Sequence, residues 1–110
     1  MATSVYKVLG QLNPGATTLT TLYTVPGATS TVVSSIVIAN RSATPTAFRV
    51  SVQIAAAGDD PKQYVAYDVA IQGNDVVSLS LGMTLAATDV IKAYATLATL
   101  SFSVFGEEIS

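Results

Sequence analysis

Cysteine, histidine and tryptophan do not occur in this chain. Without cysteine or histidine there is no disulfide, no thiol nucleophile, no thiolate or imidazole metal ligand, and no ordinary neutral-pH proton shuttle. Charge is scarce too: Lys and Arg number 5, Asp and Glu number 7, and the net charge is −2. That balance excludes the basic footprint with which proteins neutralise phosphates, so no nucleic-acid partner is expected. A charged fraction of 11% is also low for a monomer that must keep its whole surface apart from its neighbours. Serine, threonine or other subunits must cover the remainder. No apolar run approaches the length that crosses a membrane. Residues 1–8 carry neither a basic segment nor a long apolar one, so the expectation is a cytoplasmically made chain with no signal peptide and no membrane contact.

What is present is strand material. At 110 residues the chain has room for one domain. Its mass of 11.3 kDa implies a folded surface of about 5,700 Å² against roughly 16,000 Å² unfolded. Eight candidate strands stand at residues 4–9, 18–25, 31–40, 47–54, 63–71, 76–82, 89–95 and 99–106. Turn-forming residues separate them, among them Asn13-Pro14-Gly15, Pro26-Gly27, Gly58-Asp59-Asp60-Pro61 and Gly73-Asn74-Asp75. This spacing predicts an all-β chain folded as a single antiparallel β-sandwich of about eight strands. A jelly roll is the preferred topology, with an immunoglobulin-like arrangement as the alternative. No 3.6-residue period is sustained anywhere, and Ala55-Ala56-Ala57 runs straight into Gly58.

Alternation assigns faces. Phe48, Val50, Val52 and Ile54 should point inward from one strand, Leu100, Phe102 and Val104 from another, and Val65, Tyr67, Val69 and Ile71 from a third. Gly73-Asn74-Asp75 reads as a hairpin turn joining 63–71 to 76–82 as antiparallel neighbours, since Gly and Asn tolerate positive φ. Ile36, Val37, Ile38 and Ala39 are consecutive apolar residues, so both faces of that strand need cover. Either small neighbours supply it for a central strand, or one face meets another subunit.

Carboxylates offer little chemistry. Asp59, Asp60, Asp75 and Asp89 stand at turns or strand starts, where Asp satisfies local backbone N–H groups. A calcium site at Asp59 and Asp60 would need an oxygen-ligand loop pattern that the sequence lacks. Asp68 lies within a strand, suited to an ion pair with Lys62 or Arg49. Glu107 and Glu108 close the set. No nucleophile elbow, phosphate loop or basic aromatic patch is present. The reading is of a non-enzymatic protein without metal or cofactor. The five tyrosines could line a carbohydrate groove, but they serve equally as packed rings with wet hydroxyls.

The order of several segments resembles small virion-associated proteins of tailed bacteriophages. These segments are Leu22-Tyr23-Thr24-Val25-Pro26, Val33-Ser34-Ser35-Ile36-Val37-Ile38-Ala39-Asn40-Arg41, Phe48-Arg49-Val50-Ser51-Val52, Lys62-Gln63-Tyr64 and Tyr67-Asp68. Leu81-Gly82-Met83-Thr84-Leu85, Ala87-Thr88-Asp89-Val90 and Phe105-Gly106 continue it, so that most of residues 18–106 is covered. The resemblance implies a virion structural protein of the capsid cement (decoration) type, working as a homotrimer, with phage coat protein and copies of itself as partners. Tail, neck or baseplate components and carbohydrate- or receptor-binding modules are the alternatives. No catalytic motif accompanies it. The candidate interface residues are Ile36, Val37, Ile38, Arg41, Tyr64 and Tyr67. The terminal segments 1–12 and 107–110, read as unpaired tails, and the loops 41–46 and 55–62 are further contact candidates.

Overall fold

Alternating side chains fix where strands form, and Gly, Pro, Asn and Asp fix where they stop. The computed structural model describes residues 3–110. Among the described residues nine strands occur: β1 (Ser4–Leu12), β2 (Thr20–Thr24), β3 (Ser30–Asn40), β4 (Thr46–Gln53), β5 (Tyr64–Ile71), β6 (Val76–Leu79), β7 (Thr84–Leu85), β8 (Val90–Ala95) and β9 (Leu100–Ile109). The first sheet runs β1-β9-β3-β6, with β7 also on β3, and the second runs β2-β8-β4-β5. All the strand pairings are antiparallel.

β6 and β7 pair with successive stretches of β3, Val76 opposite Ala39 and Leu85 opposite Thr31. They are two pieces of one strand, interrupted around Gly82, which adopts φ +63°. Counted this way there are eight strands, and they pair first with last, second with next-to-last, and so on inward to β4 with β5. That wrapped ribbon is a jelly roll. The immunoglobulin-like alternative is excluded, because there the first two strands share a sheet, whereas β1 and β2 lie in different ones.

The core lies between the sheets. Phe48 and Val50 of β4 pair across to Ala95 and Ala93 of β8. Those two small residues leave room for Phe102 of β9, whose ring meets Phe48 edge-on with centroids 6.1 Å apart. Ile36, Ile38, Ile91, Leu100 and Val104 complete the centre, all essentially inaccessible. The accessible surface is 5558 Å², close to the value expected for a compact chain of this mass. The core therefore closes without a neighbour.

Several expectations change. Segments 63–71 and 76–82 are not neighbours, since β5 belongs to the second sheet and β6 to the first. Gly73-Asn74-Asp75 is a corner between sheets. Asn40 Nδ2 donates to the carbonyls of Thr44 (2.9 Å) and Gln72 (3.2 Å), and the Asn74 amide donates to Ser42 (2.8 Å), so this corner packs onto the one joining β3 to β4. A side chain at Gly73 would strike the Ala43 carbonyl. Residues 4–12 and 107–109 are not unpaired tails but partners within the first sheet, Ser4 opposite Ile109. Met1 and Ala2 of the expected contact segment lie outside the described residues. Ile54 does not point inward: β4 ends at Gln53, the chain turns through left-handed φ at Ala55 and Ala56, and Ile54 stands 75% exposed.

Candidate functional site: an arginine and tyrosine face on the second sheet

β4 is flanked by β8 and β5, so its outward residues sit amid side chains from both. Arg49 pairs with Tyr94 of β8. On the other side, the register of β5 breaks where Tyr67 and Asp68 together oppose Arg49. Asp68 takes φ +50°, the extra residue of a bulge. Both side chains are thereby brought to Arg49. Its Nε donates to Asp68 Oδ1 at 2.6 Å and its Nη2 to Oδ2 at 3.3 Å, a two-pronged ion pair. The guanidinium carbon lies 4.1 Å from the Tyr67 ring centre and 4.3 Å from that of Tyr94, with Tyr64 at 6.0 Å. Tyr64 and Tyr67 meet edge-on at 5.0 Å. Hydrogen bonding to Asp68 raises the Arg49 guanidinium above its ordinary range, against an opposing effect of burial.

Farther along the same face, Asp59 Oδ1 accepts from Gln53 Nε2 (2.6 Å) and Lys92 Nζ (3.0 Å). Lys92 holds the Asp59 carboxyl below its usual range, aided by Gln53 and opposed by burial. Two cations and two carboxylates thus cancel across the face. What remains is a neutral, aromatic, pre-ordered surface with Tyr67 57% exposed. Tyrosine and arginine held rigid in this way are the residue types that anchor protein interfaces. Nothing in the arrangement places a nucleophile against a base.

The other carboxylates are structural. Asp60 accepts the Lys62 amide in a capping box with Gln63, Asp75 accepts the Val76 amide, and Asp89 accepts the amides of Ala55 (2.9 Å) and Ala86 (3.0 Å). Among the described residues no group of three or more acidic side chains gathers as a metal site would require.

Of the interface candidates, Tyr64 and Tyr67 fall on this face, together and on one strand. Ile36 and Ile38 do not reach any surface, because their side of β3 faces the core. Val37 lies on the other side, beside Ser78 and Ser103, with Ala39 of the same run on that side as well. Arg41 sits at the corner after β3, where its Nη2 donates to the Ala98 carbonyl at 3.2 Å. Sequence reasoning named Arg49 only as a possible ion-pair partner and missed Tyr94 as its neighbour. Their outward positions in alternating strands were the available signal, but their adjacency depends on strand order.

No family model matches this sequence, and no curated protein matches it. Among solved structures, a chain in the acidic stable capsid structure of Helicobacter pylori bacteriophage KHP30 is similar over 100% of this chain and 94% of its own length. That match has a TM-score of 0.53 and 13% identity. A chain of the infectious bursal disease virus Gx strain structure is similar over 99% of this chain, with a TM-score of 0.56 and 9% identity. This chain spans 31% of that one. At such identities the likeness is one of fold.

Proposed function

We propose that this chain is a non-enzymatic structural protein of a bacteriophage virion, a cement protein that sits on the assembled shell and bridges coat subunits. The observation that carries this reading is the end-to-end likeness to a chain of nearly equal length from a phage capsid. The arginine and tyrosine face is its coat-binding surface: neutral, and ordered before contact, so little entropy is lost on docking. A protein that binds only the assembled shell stabilises it by mass action, about 2.7 kcal/mol per site at a hundredfold excess over Kd. Repetition over many sites makes modest contacts sufficient.

The resemblance in sequence implies three copies acting together. The open strand edge described in the next subsection favours two, and the mass of the free protein decides between them. The test of function is reconstitution on shells that lack this protein. Saturable co-sedimentation and a raised shell melting temperature are expected. Arg49→Ala and Tyr67→Ala should each weaken binding about tenfold or more, while the free protein stays folded. Failure of the intact chain to co-sediment with shells refutes the proposal. In the receptor-binding alternative the tyrosines would stack on sugars, but one face each of Tyr67 and Tyr94 is already taken by the guanidinium. Glycan binding lost in Tyr67→Ala, with shell binding unchanged, would favour that alternative.

A further inference from the structure

Sheet edges present unpaired N–H and C=O groups, and natural sheets blunt them with short strands, bulges, charge or proline. Three edges here follow that rule. β6 has 4 residues, β2 has 5 with a register break, and β5 carries the Asp68 bulge. β1 is 9 residues long and its register with β9 breaks only between Val8 and Gly10, so residues 4–8 form a regular run whose outer side no strand pairs with among the described residues. At Gly10 β2 comes close enough that a side chain there would strike the Leu22 carbonyl. Residues 4–8 are all exposed, with Val5 at 48%, Tyr6 at 81% and Val8 at 49%, and Lys7 is their single charge.

The hydrogen-bond alternation shows which groups are free. Thr3 and Ser110 exchange both backbone bonds, at 2.6 and 2.9 Å. Successive pairs alternate, so Val5 and Lys7 turn their backbone groups toward β9, while Ser4, Tyr6 and Val8 turn theirs outward. The outward set is centred on Tyr6 and symmetric about it.

We propose that residues 4–8 pair antiparallel with the same residues of a second copy, about a two-fold axis at Tyr6, joining the two first sheets into one continuous sheet. In this register Tyr6 faces the second copy's Tyr6, and Ser4 faces the second copy's Val8. All three outward residues find partners. Sliding the pair by one hydrogen-bonded step toward Val8 would set Lys7 against the second copy's Lys7 and lose a pair. Charge also selects the register. Lys7 Nζ bonds its own Glu108 at 3.2 Å, and Glu108 pairs with Val5 in β9. The second copy's Lys7 falls opposite Val5, so the two lysines stand diagonal rather than directly opposed and each stays paired with its own Glu108. On the outer face Tyr6 and Val8 extend an apolar strip with Phe105, the cross-strand partner of Val8. An antiparallel pair of identical edges closes at two copies. This inference stands whether or not the copies sit on a shell.

The cysteine-free chain allows a register-specific test. Residues facing each other in a hydrogen-bonded antiparallel pair have Cα atoms about 5.5 Å apart, within the roughly 4.4–6.8 Å that a disulfide spans. Under mild oxidation Tyr6→Cys should form a covalent dimer. Ser4→Cys alone and Val8→Cys alone should not, but an equimolar mixture of the two should form the mixed dimer. In the unmodified chain, hydrogen exchange at the Tyr6 and Val8 amides should slow as concentration rises, while exchange at Val5 and Lys7 stays constant. Equal crosslinking by Ser4→Cys and Tyr6→Cys would overturn the proposal, as would a trimer in solution, or Tyr6 exchange that is fast at every concentration without crosslinking.

Discussion

Replacing Tyr23 by phenylalanine removes one oxygen that holds the two sheets together. Tyr23 extends from β2 in the second sheet and is only 7% exposed. Its hydroxyl donates to Glu108 Oε2 of β9 at 2.6 Å and lies 2.8 Å from Thr31 Oγ1 of β3. Lys7 of β1 bonds the other Glu108 oxygen. Four strands therefore meet at one cluster. A hydrogen bond to a charged group contributes about 1.5–3 kcal/mol, and the buried Thr31 hydroxyl would lose a partner as well. The expected loss for Tyr23→Phe is about 2–3 kcal/mol. At about 2.1 cal/mol/K of unfolding entropy per residue, that is a fall in Tm of roughly 9–13 °C.

Urea unfolding of both proteins measures this directly, and a double-mutant cycle with Glu108→Gln should give a coupling of about 1–2 kcal/mol. The pH dependence has a defined sign. The Tyr23 hydroxyl holds Glu108 below its ordinary value of 4.5, against burial, with Lys7 assisting. This contribution is complete above that ordinary value and is lost as pH falls through the lower folded one. Burial and Glu108 push Tyr23 from 10.0 up to about 12. Its contribution is complete below 10.0 and is lost as pH rises through about 12. The gap in stability between the two proteins should therefore form a plateau that shrinks at both ends. A gap below about 0.5 kcal/mol at neutral pH, or one independent of pH, would refute the reasoning.

Three further outcomes follow from the same geometry. Gly10→Ala should destabilise the chain by about 1–3 kcal/mol, read by urea midpoint, because a methyl group there displaces β1 from the Leu22 carbonyl. Phe102→Ala should cost about 3–5 kcal/mol, since it empties the centre of the core beside Phe48. Arg49→Lys should fail to restore shell binding lost in Arg49→Ala, because an ammonium cannot make the two-pronged bond to Asp68 while stacking on Tyr67 and Tyr94.

Local periodicity made the strands legible. Phe48 with Val50, and Leu100 with Phe102 and Val104, announce their inward faces by alternation alone, and all five are buried. Partnership was less legible, because turn residues mark that the chain turns and not which sheet it enters. Gly73-Asn74-Asp75 has hairpin chemistry, yet Asn40, Ser42 and Ala43 hold it as a corner between sheets, a contact between residues about thirty positions apart. The terminal segments looked loose because each lacks a local partner; their partner is the opposite end of the chain. Tyr64 and Tyr67 were candidates for contact, but alternation assigned Tyr67 and Val65 inward; the register breaks of β5 around Asp68 instead bury Ala66 and leave Val65 47% and Tyr67 57% exposed. That Arg49 and Tyr94 complete the face requires knowing that β4 lies between β5 and β8.

Quantitative mass spectrometry of extensively washed virions, from the bacteriophage proposed to carry this chain, tests the proposed role most directly. A cement protein is predicted to be present in a fixed ratio to the coat protein, in many copies per particle, and to survive purification through a density gradient. Its complete absence from infectious particles, with the protein found only in the lysate of infected cells, would contradict the account.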